Sequence, residues 1–165
     1  MDLSLSSVLE FHRGGKVALR MPRPVRTVED LCLAYTPGVG KAVLHLADDP
    51  EAAFDYTAKG KTVAVISDGT ASLGLGDRGP TAAIPVMEGK CVLFKSFAGV
   101  DAWPVVLDNC RQGGAKTGKT DPRRVIDAAL AVAPMYGGIN LEDIAAPAPF
   151  IATLSEPNGL PAASA

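Results

Sequence analysis

Three places in this sequence carry side chains whose type and setting could do chemistry: Lys90, the Glu142–Asp143 pair and Tyr35. Lys90 lies in a helical pattern over residues 82–97. On a wheel of about 100° per residue, Ala83, Met87, Phe94 and Phe97 share one face, with Lys90 in the middle of that apolar arc and Lys95 near its edge. Desolvation on such a face favours the neutral amine and makes Lys90 a candidate base, unless its aliphatic stem runs past the core and carries the charge to water. Glu142 and Asp143 follow a short predicted strand. Adjacent carboxylates point apart along a strand, but a turn at its end can aim both at one hard cation such as Mg²⁺ or Mn²⁺; otherwise they are two solvated loop acids. Tyr35 stands where a helix meets Thr36-Pro37-Gly38. A phenol there reads first as an amphipathic residue at the edge of a core.

Two glycine patterns invite nucleotide readings. Gly74, Gly76 and Gly79 spell G-x-G-x-x-G. The predicted strand before it ends at Ile66, too early for a dinucleotide loop, and Asp101 precedes the second strand where the pattern needs an acid after it, so the glycines read as a turn. Gly113 to Thr120 matches the phosphate-loop pattern G-x-x-x-x-G-K-T. Pro122 then falls where the interior of the phosphate-wrapping helix belongs, so the segment reads as a flexible basic insertion. Two histidines and three scattered cysteines support neither a zinc site nor a Cys-His or Ser-His-Asp arrangement.

The elements that must position these residues follow from caps and β-branched runs. Residues 1–26 read as an arm, with two prolines among three arginines over 20–26 suiting an extended strap. Thr27 followed by Asp30 is a helix-start signal, Tyr35-Thr36-Pro37-Gly38 a stop, and a second helical pattern runs from Val39 to Ala47. Asp49-Pro50 starts another helix, to about Ala58. Strands are predicted at Thr62–Ile66, Trp103–Leu107 and Gly138–Leu141, with a helix from Asp121-Pro122 to about Val132. Strands alternating with helices predict an α/β fold, a helix-covered parallel or mixed sheet. Residues 148–165, rich in Pro, Ala and Ser, read as a flexible tail.

The chain has 165 residues, 47% hydrophobic and 21% charged, with net charge −2. That apolar fraction supports a core and excludes global disorder, and the charge balance argues against nucleic acid. No apolar run reaches membrane-spanning length and the N-terminus lacks a secretory signal, so a cytoplasmic domain is expected.

Taken together, several segments resemble the N-terminal domain of malic enzymes of the short bacterial form. They include Ala34-Tyr35-Thr36-Pro37-Gly38-Val39, Tyr56-Thr57-Ala58-Lys59-Gly60, Val63 to Thr70, Leu73-Gly74-Leu75-Gly76-Asp77 and Pro85 to Lys90. Val92 to Lys95, Phe97 to Ala102 and Gly137 to Ile144 continue the match, which covers roughly residues 8–147 in order. The resemblance implies oxidative decarboxylation of malate to pyruvate and CO₂, with NAD or NADP and Mg²⁺ or Mn²⁺. It implies Tyr35 as general acid, Lys90 as general base in contact with substrate, and Glu142 and Asp143 as metal ligands. It also implies a dimer.

The departures shape the remaining expectations. The family's Asp-Asp-Gln-His segment, source of a third metal ligand, is not found, Arg78 replaces an aliphatic residue, and residues 111–120 replace a short acidic connection. The chain is therefore expected to comprise the arm 1–26, a substrate and catalytic domain over 27–147 and the tail. It is expected to lack the NAD(P)-binding domain, to bind no cofactor itself and to turn over no malate alone. Two alternatives are an inactive interaction module, pairing with itself or with a full-length relative, and a nucleotide-binding protein using the 113–120 loop.

Overall fold

The computed structural model describes residues 4–108, 110–112 and 119–149. Its centre is β1 (Thr62–Ser67), a β-branched run buried at Ala64 to Ser67. β2 (Asp101–Val106) and β3 (Gly138–Leu141) flank it in the order β2-β1-β3, both parallel to it. The predicted strands are thus present, β2 beginning two residues earlier than expected, and the sheet is parallel.

Register explains how both faces are covered. Val63 and Val65 pair with Ala102 and Pro104, and Ser67 with Val106, so these positions share a face. Helix α5 (Pro80–Leu93) lies on it, and Met87 and Cys91 join Val65 and Ala102 in one buried cluster. Ile66 pairs with Leu141 on the opposite face. There Leu141 packs against a second cluster built around Val125 of helix α6 (Pro122–Val132) with Cys110 and Ile144. The crossovers β1–α5–β2 and β2–α6–β3 therefore leave the sheet toward opposite faces, as right-handed connections running in opposite directions require.

The α5 stripe differs from the wheel in one respect. Ala83, Met87 and Cys91 are the buried positions, so Lys90 flanks the stripe instead of centring it. Phe97 is 86% exposed. The α-helix ends at Leu93 and residues 94–98 form a π turn, whose wider winding rotates Phe97 off the buried face.

The N-terminal region is more helical than a strap. Helix α1 (Leu5–His12) starts at Ser4, whose hydroxyl accepts the Ser7 N–H, whereas residues 13–26 hold no regular element. Helix α2 (Val28–Ala34) has the expected capping box: Thr27 accepts from the Asp30 N–H, and the Asp30 carboxylate accepts the Thr27 N–H. Helix α3 (Val39–Asp48) follows. The helix expected from Pro50 divides into a 3-10 turn at Pro50–Ala52, helix α4 (Ala53–Tyr56) and a second 3-10 turn at Ala58–Lys61. None of the residues in α1, α2 or α3 is buried.

A free basic insertion is not what the ends of the 111–120 segment form. Arg111 and Thr120 pair in an antiparallel bridge, the Gln112 N–H donates to Lys119 O at 2.8 Å, and both paired residues are buried. Residues 113–118 and most of the expected tail, 150–165, lie outside the described residues. No helix among the described residues is long and apolar enough to cross a membrane.

Candidate active site

The C-terminal ends of parallel strands gather loops from every βα connection, and Lys90, Glu142 and Asp143 meet at the end of β3. Strand geometry continues one residue past β3, because the Glu142 N–H donates to Ile66 O at 2.9 Å. Asn140 pairs with Val65 on the α5 face, and alternation puts Glu142 on that same side. Helix α5 brings Lys90 to meet it. Lys90 Nζ lies 3.0 Å from Glu142 Oε2, with side-chain exposures of 27% and 19%. Asn140 Nδ2 donates to the same oxygen at 3.1 Å. Lys90 thus neither centres a dry core nor runs free to solvent; it ends on a carboxylate.

Asp143 breaks the alternation. Its φ of 52° is left-handed, so the extended alternation of the strand ends there. Burial first, and then the charge of Glu142, push the Asp143 carboxyl above its usual range; the Leu73 N–H and Lys90 pull more weakly the other way. Its Oδ2 is buried and has no hydrogen-bond partner among the described residues. An orphaned carboxylate oxygen beside a second carboxylate is the donor chemistry of a hard divalent cation. Glu142 and Asp143 fit such an ion as two ligands. Among the described residues no cluster of three metal-binding side chains occurs.

Tyr35 makes no described contact with Lys90, Glu142 or Asp143. It ends α2, with its N–H donated to Leu31 O at 2.9 Å and its carbonyl accepting the Val39 N–H at 2.7 Å. Its side chain is exposed. The contacts therefore join Lys90 to Glu142 directly and do not join Tyr35 to either.

Beneath the acids lies a polar network that motif reading did not single out. Asp68 follows β1 and is fully buried; its Oδ1 accepts from Thr70 N at 3.1 Å and Thr70 Oγ1 at 2.6 Å. Its Oδ2 accepts from Thr120 Oγ1 at 2.5 Å. Arg111 donates to both oxygens of Asp77, at 2.6 Å to Oδ1, and to Asp68 O at 3.3 Å. The one available signal was position, since Asp68-Gly69-Thr70 leaves the C-terminal end of a central parallel strand. Gly69, at φ 69°, is required there, because a Cβ would strike the Gly79 carbonyl where the loop closes on itself.

Residues 15–154 match the family model for the malic enzyme N-terminal domain. The chain belongs to the malic enzyme family. It is 52% identical over 139 residues to the NAD-dependent malic enzyme of Geobacillus stearothermophilus, covering 84% of this chain and 27% of that one. It is 48% identical over 137 residues to the bifunctional malic/malolactic enzyme of Bacillus subtilis, covering 83% of this chain and 31% of that one. Among solved structures, the malic enzyme of Pyrococcus horikoshii superposes with a TM-score of 0.85 at 43% identity, over 95% of this chain and 36% of that one. The NAD-dependent malic enzyme of Thermotoga maritima gives 0.83 at 40% identity, over 98% and 43%. The malic-enzyme fold assignment thus agrees with the parallel sheet and its helices. The chain spans between about a quarter and two fifths of the length of these relatives.

Proposed function

We propose that this malic-enzyme N-terminal domain provides the malate-handling side of oxidative decarboxylation to pyruvate and CO₂. The observation that carries the reading is the 3.0 Å contact of Lys90 Nζ with Glu142, beside the buried, unpartnered oxygen of Asp143. In this reading Lys90, in its neutral form, accepts the C2 hydroxyl proton of malate as the C2 hydride leaves to NAD(P)⁺, and Tyr35, which no described contact joins to Lys90 or Glu142, returns a proton to C3 after CO₂ has left. Glu142 and Asp143 would hold Mg²⁺ or Mn²⁺, which when bound would polarise the C2 oxygen and stabilise negative charge on it. Glu142 has two duties, since the carboxylate that would face the cation is also the ion-pair partner of Lys90. NAD or NADP enters through the names of the relatives; the glycine loop here folds back on Gly69 and offers no dinucleotide cradle among the described residues.

The test is ligand-observed NMR of malate and pyruvate with the purified chain and Mn²⁺. Paramagnetic broadening of both ligands is expected with the natural chain, and its loss in Glu142→Gln and Lys90→Met. Broadening indifferent to both substitutions overturns the assignment. A malate-dependent NAD(P)H assay of the chain alone, and mixed with an intact relative, measures turnover separately; the chain alone is expected to be silent.

A second reading, an interaction module, draws support from the N-terminal helices. Leu5, Leu9, Phe11, Leu33, Val43 and Leu44 are exposed large apolar side chains on α1, α2 and α3. The phosphate-loop reading gains nothing from the structure, since the Thr120 hydroxyl that would serve Mg²⁺ is donated to Asp68.

A further inference from the structure

The two ends of the 111–120 segment sit under the candidate site, and their side chains work on the same loop. Residues paired across an antiparallel bridge point to the same side, and here Arg111 and Thr120 both point at the end of β1. The Arg111 side chain is only 5% exposed. Its guanidinium forks onto the Asp77 carboxylate, the geometry in which an arginine–carboxylate pair is strongest and most directional. Asp77 lies within the glycine loop and also accepts the Gly79 N–H at 3.1 Å.

That loop in turn grips the Glu142–Asp143 turn, where the Leu73 N–H also reaches the Asp143 carboxyl. The Ala71 N–H donates to Asp143 O at 3.1 Å, and Thr70 Oγ1 accepts the Ala145 N–H at 2.8 Å. The Thr70 hydroxyl is itself held by Asp68, which Thr120 holds from the other side. Leu73 in the loop and Asp143 in the turn are the non-glycine residues with left-handed backbone among those described. A left-handed backbone at a branched-aliphatic residue such as Leu73 persists only where surrounding contacts hold it. The contacts that do so lead back to Arg111 and Thr120.

We propose that Arg111 is a positioning residue, a clamp that fixes the glycine loop through Asp77 and thereby holds the Glu142–Asp143 turn in its cation-facing conformation. The cation-facing part rests on the functional reading above; the clamp itself does not. Removing the fork frees the loop to leave Asp143 while the sheet below stays intact, because the described Arg111 contacts go to Asp77 and to Asp68 O, beyond the end of β1.

The experiment is amide hydrogen exchange on the full chain, comparing the natural sequence with Arg111→Met, Arg111→Lys and Asp77→Asn, alongside Mn²⁺ titration. In Arg111→Met, the amides of Ala71, Ser72 and Arg78 should exchange about ten-fold faster or more, as expected when a charge-assisted contact is lost. The amides of Val65 and Ile66 should stay within about two-fold. Arg111→Lys, which keeps the charge without the fork, should fall between, and Mn²⁺ affinity should weaken in the same order. Asp77→Asn should reproduce the loop effect with Arg111 in place, which keeps the test decisive if Arg111→Met folds poorly. Unchanged loop amides overturn the clamp, as does equal loss of protection in β1, which marks a merely structural arginine. Selective loop loss in a chain that takes up no Mn²⁺ supports the clamp and sinks the cation reading.

Discussion

At the scale of single residues, the site turns on how few charges balance two adjacent acids. Lys90 is the cation paired with Glu142, and Asp143 is held above its usual range by burial and by Glu142. Lys90→Met should therefore cost about 1 kcal/mol, between the value of an exposed pair and that of a buried one. Pairing it with Glu142→Gln should restore most of the loss, which a double-mutant cycle in urea measures. Asp143→Asn should do the reverse. A carboxyl raised in the folded state keeps its proton where the unfolded chain gives it up, so stability declines as pH climbs through and above the ordinary carboxylate range. Asparagine removes that decline and tolerates the left-handed backbone. Its melting temperature should exceed that of the natural chain at neutral pH, and the gain should vanish in acid. The buried thiols give the alkaline counterpart. Burial pushes Cys91 and Cys110 up to about 11 from an ordinary 9.0. Both stay protonated where the unfolded chain ionises, so stability should fall between about pH 9 and 11, by at most about 1.4 kcal/mol per unit for each thiol. The fall should be shallower in Cys110→Ala, and an identical slope would refute the assignment.

At the scale of elements, α5 has two tasks, closing one face of the sheet and delivering Lys90. Ala83, Met87 and Cys91, four residues apart, are the buried positions that carry the first, with Met87 and Cys91 packed against Val65 and Ala102. Met87→Ala should cost about 2–5 kcal/mol, the range for an aliphatic truncation in a close-packed core. Phe97→Ala, beyond the π turn and exposed, should stay within about 0.5 kcal/mol. Chemical denaturation of the two variants distinguishes this register from an α-helix continued through Phe97, in which both substitutions would be costly.

At the scale of the molecule, the core lies around the three strands, α5 and α6, whereas α1, α2 and α3 contribute no buried residue. An isolated domain seldom leaves three helices with this much apolar surface in water. Tyr35 belongs to that same uncovered region. Self-association through this surface is the expected outcome, with sedimentation at micromolar concentration as the measurement; a strict monomer contradicts it. Leu9→Glu and Val43→Glu should shift the equilibrium toward monomer without lowering the stability of the sheet, because neither side chain is part of its core.

What the sequence settled by itself was local or cumulative. Thr27 and Asp121 announce the helices they cap, and the β-branched run at Val63 to Ile66 announces the central strand. The ordered malic-enzyme segments announce the family and the four candidate residues. Each depends on neighbours a few positions apart, where propensity and period act. Tertiary structure decided the partnerships. Lys90 and Glu142 meet because α5 and the end of β3 share one face of the sheet, and no period within either segment encodes that contact. Arg111 and Thr120 read as ends of a basic insertion, since nothing near them in sequence shows that both side chains close on Asp68 and its loop. Tyr35 is exposed at the end of a helix that buries none of its residues. Contacts between distant segments are set by which faces pack, and packing is a property of the whole chain.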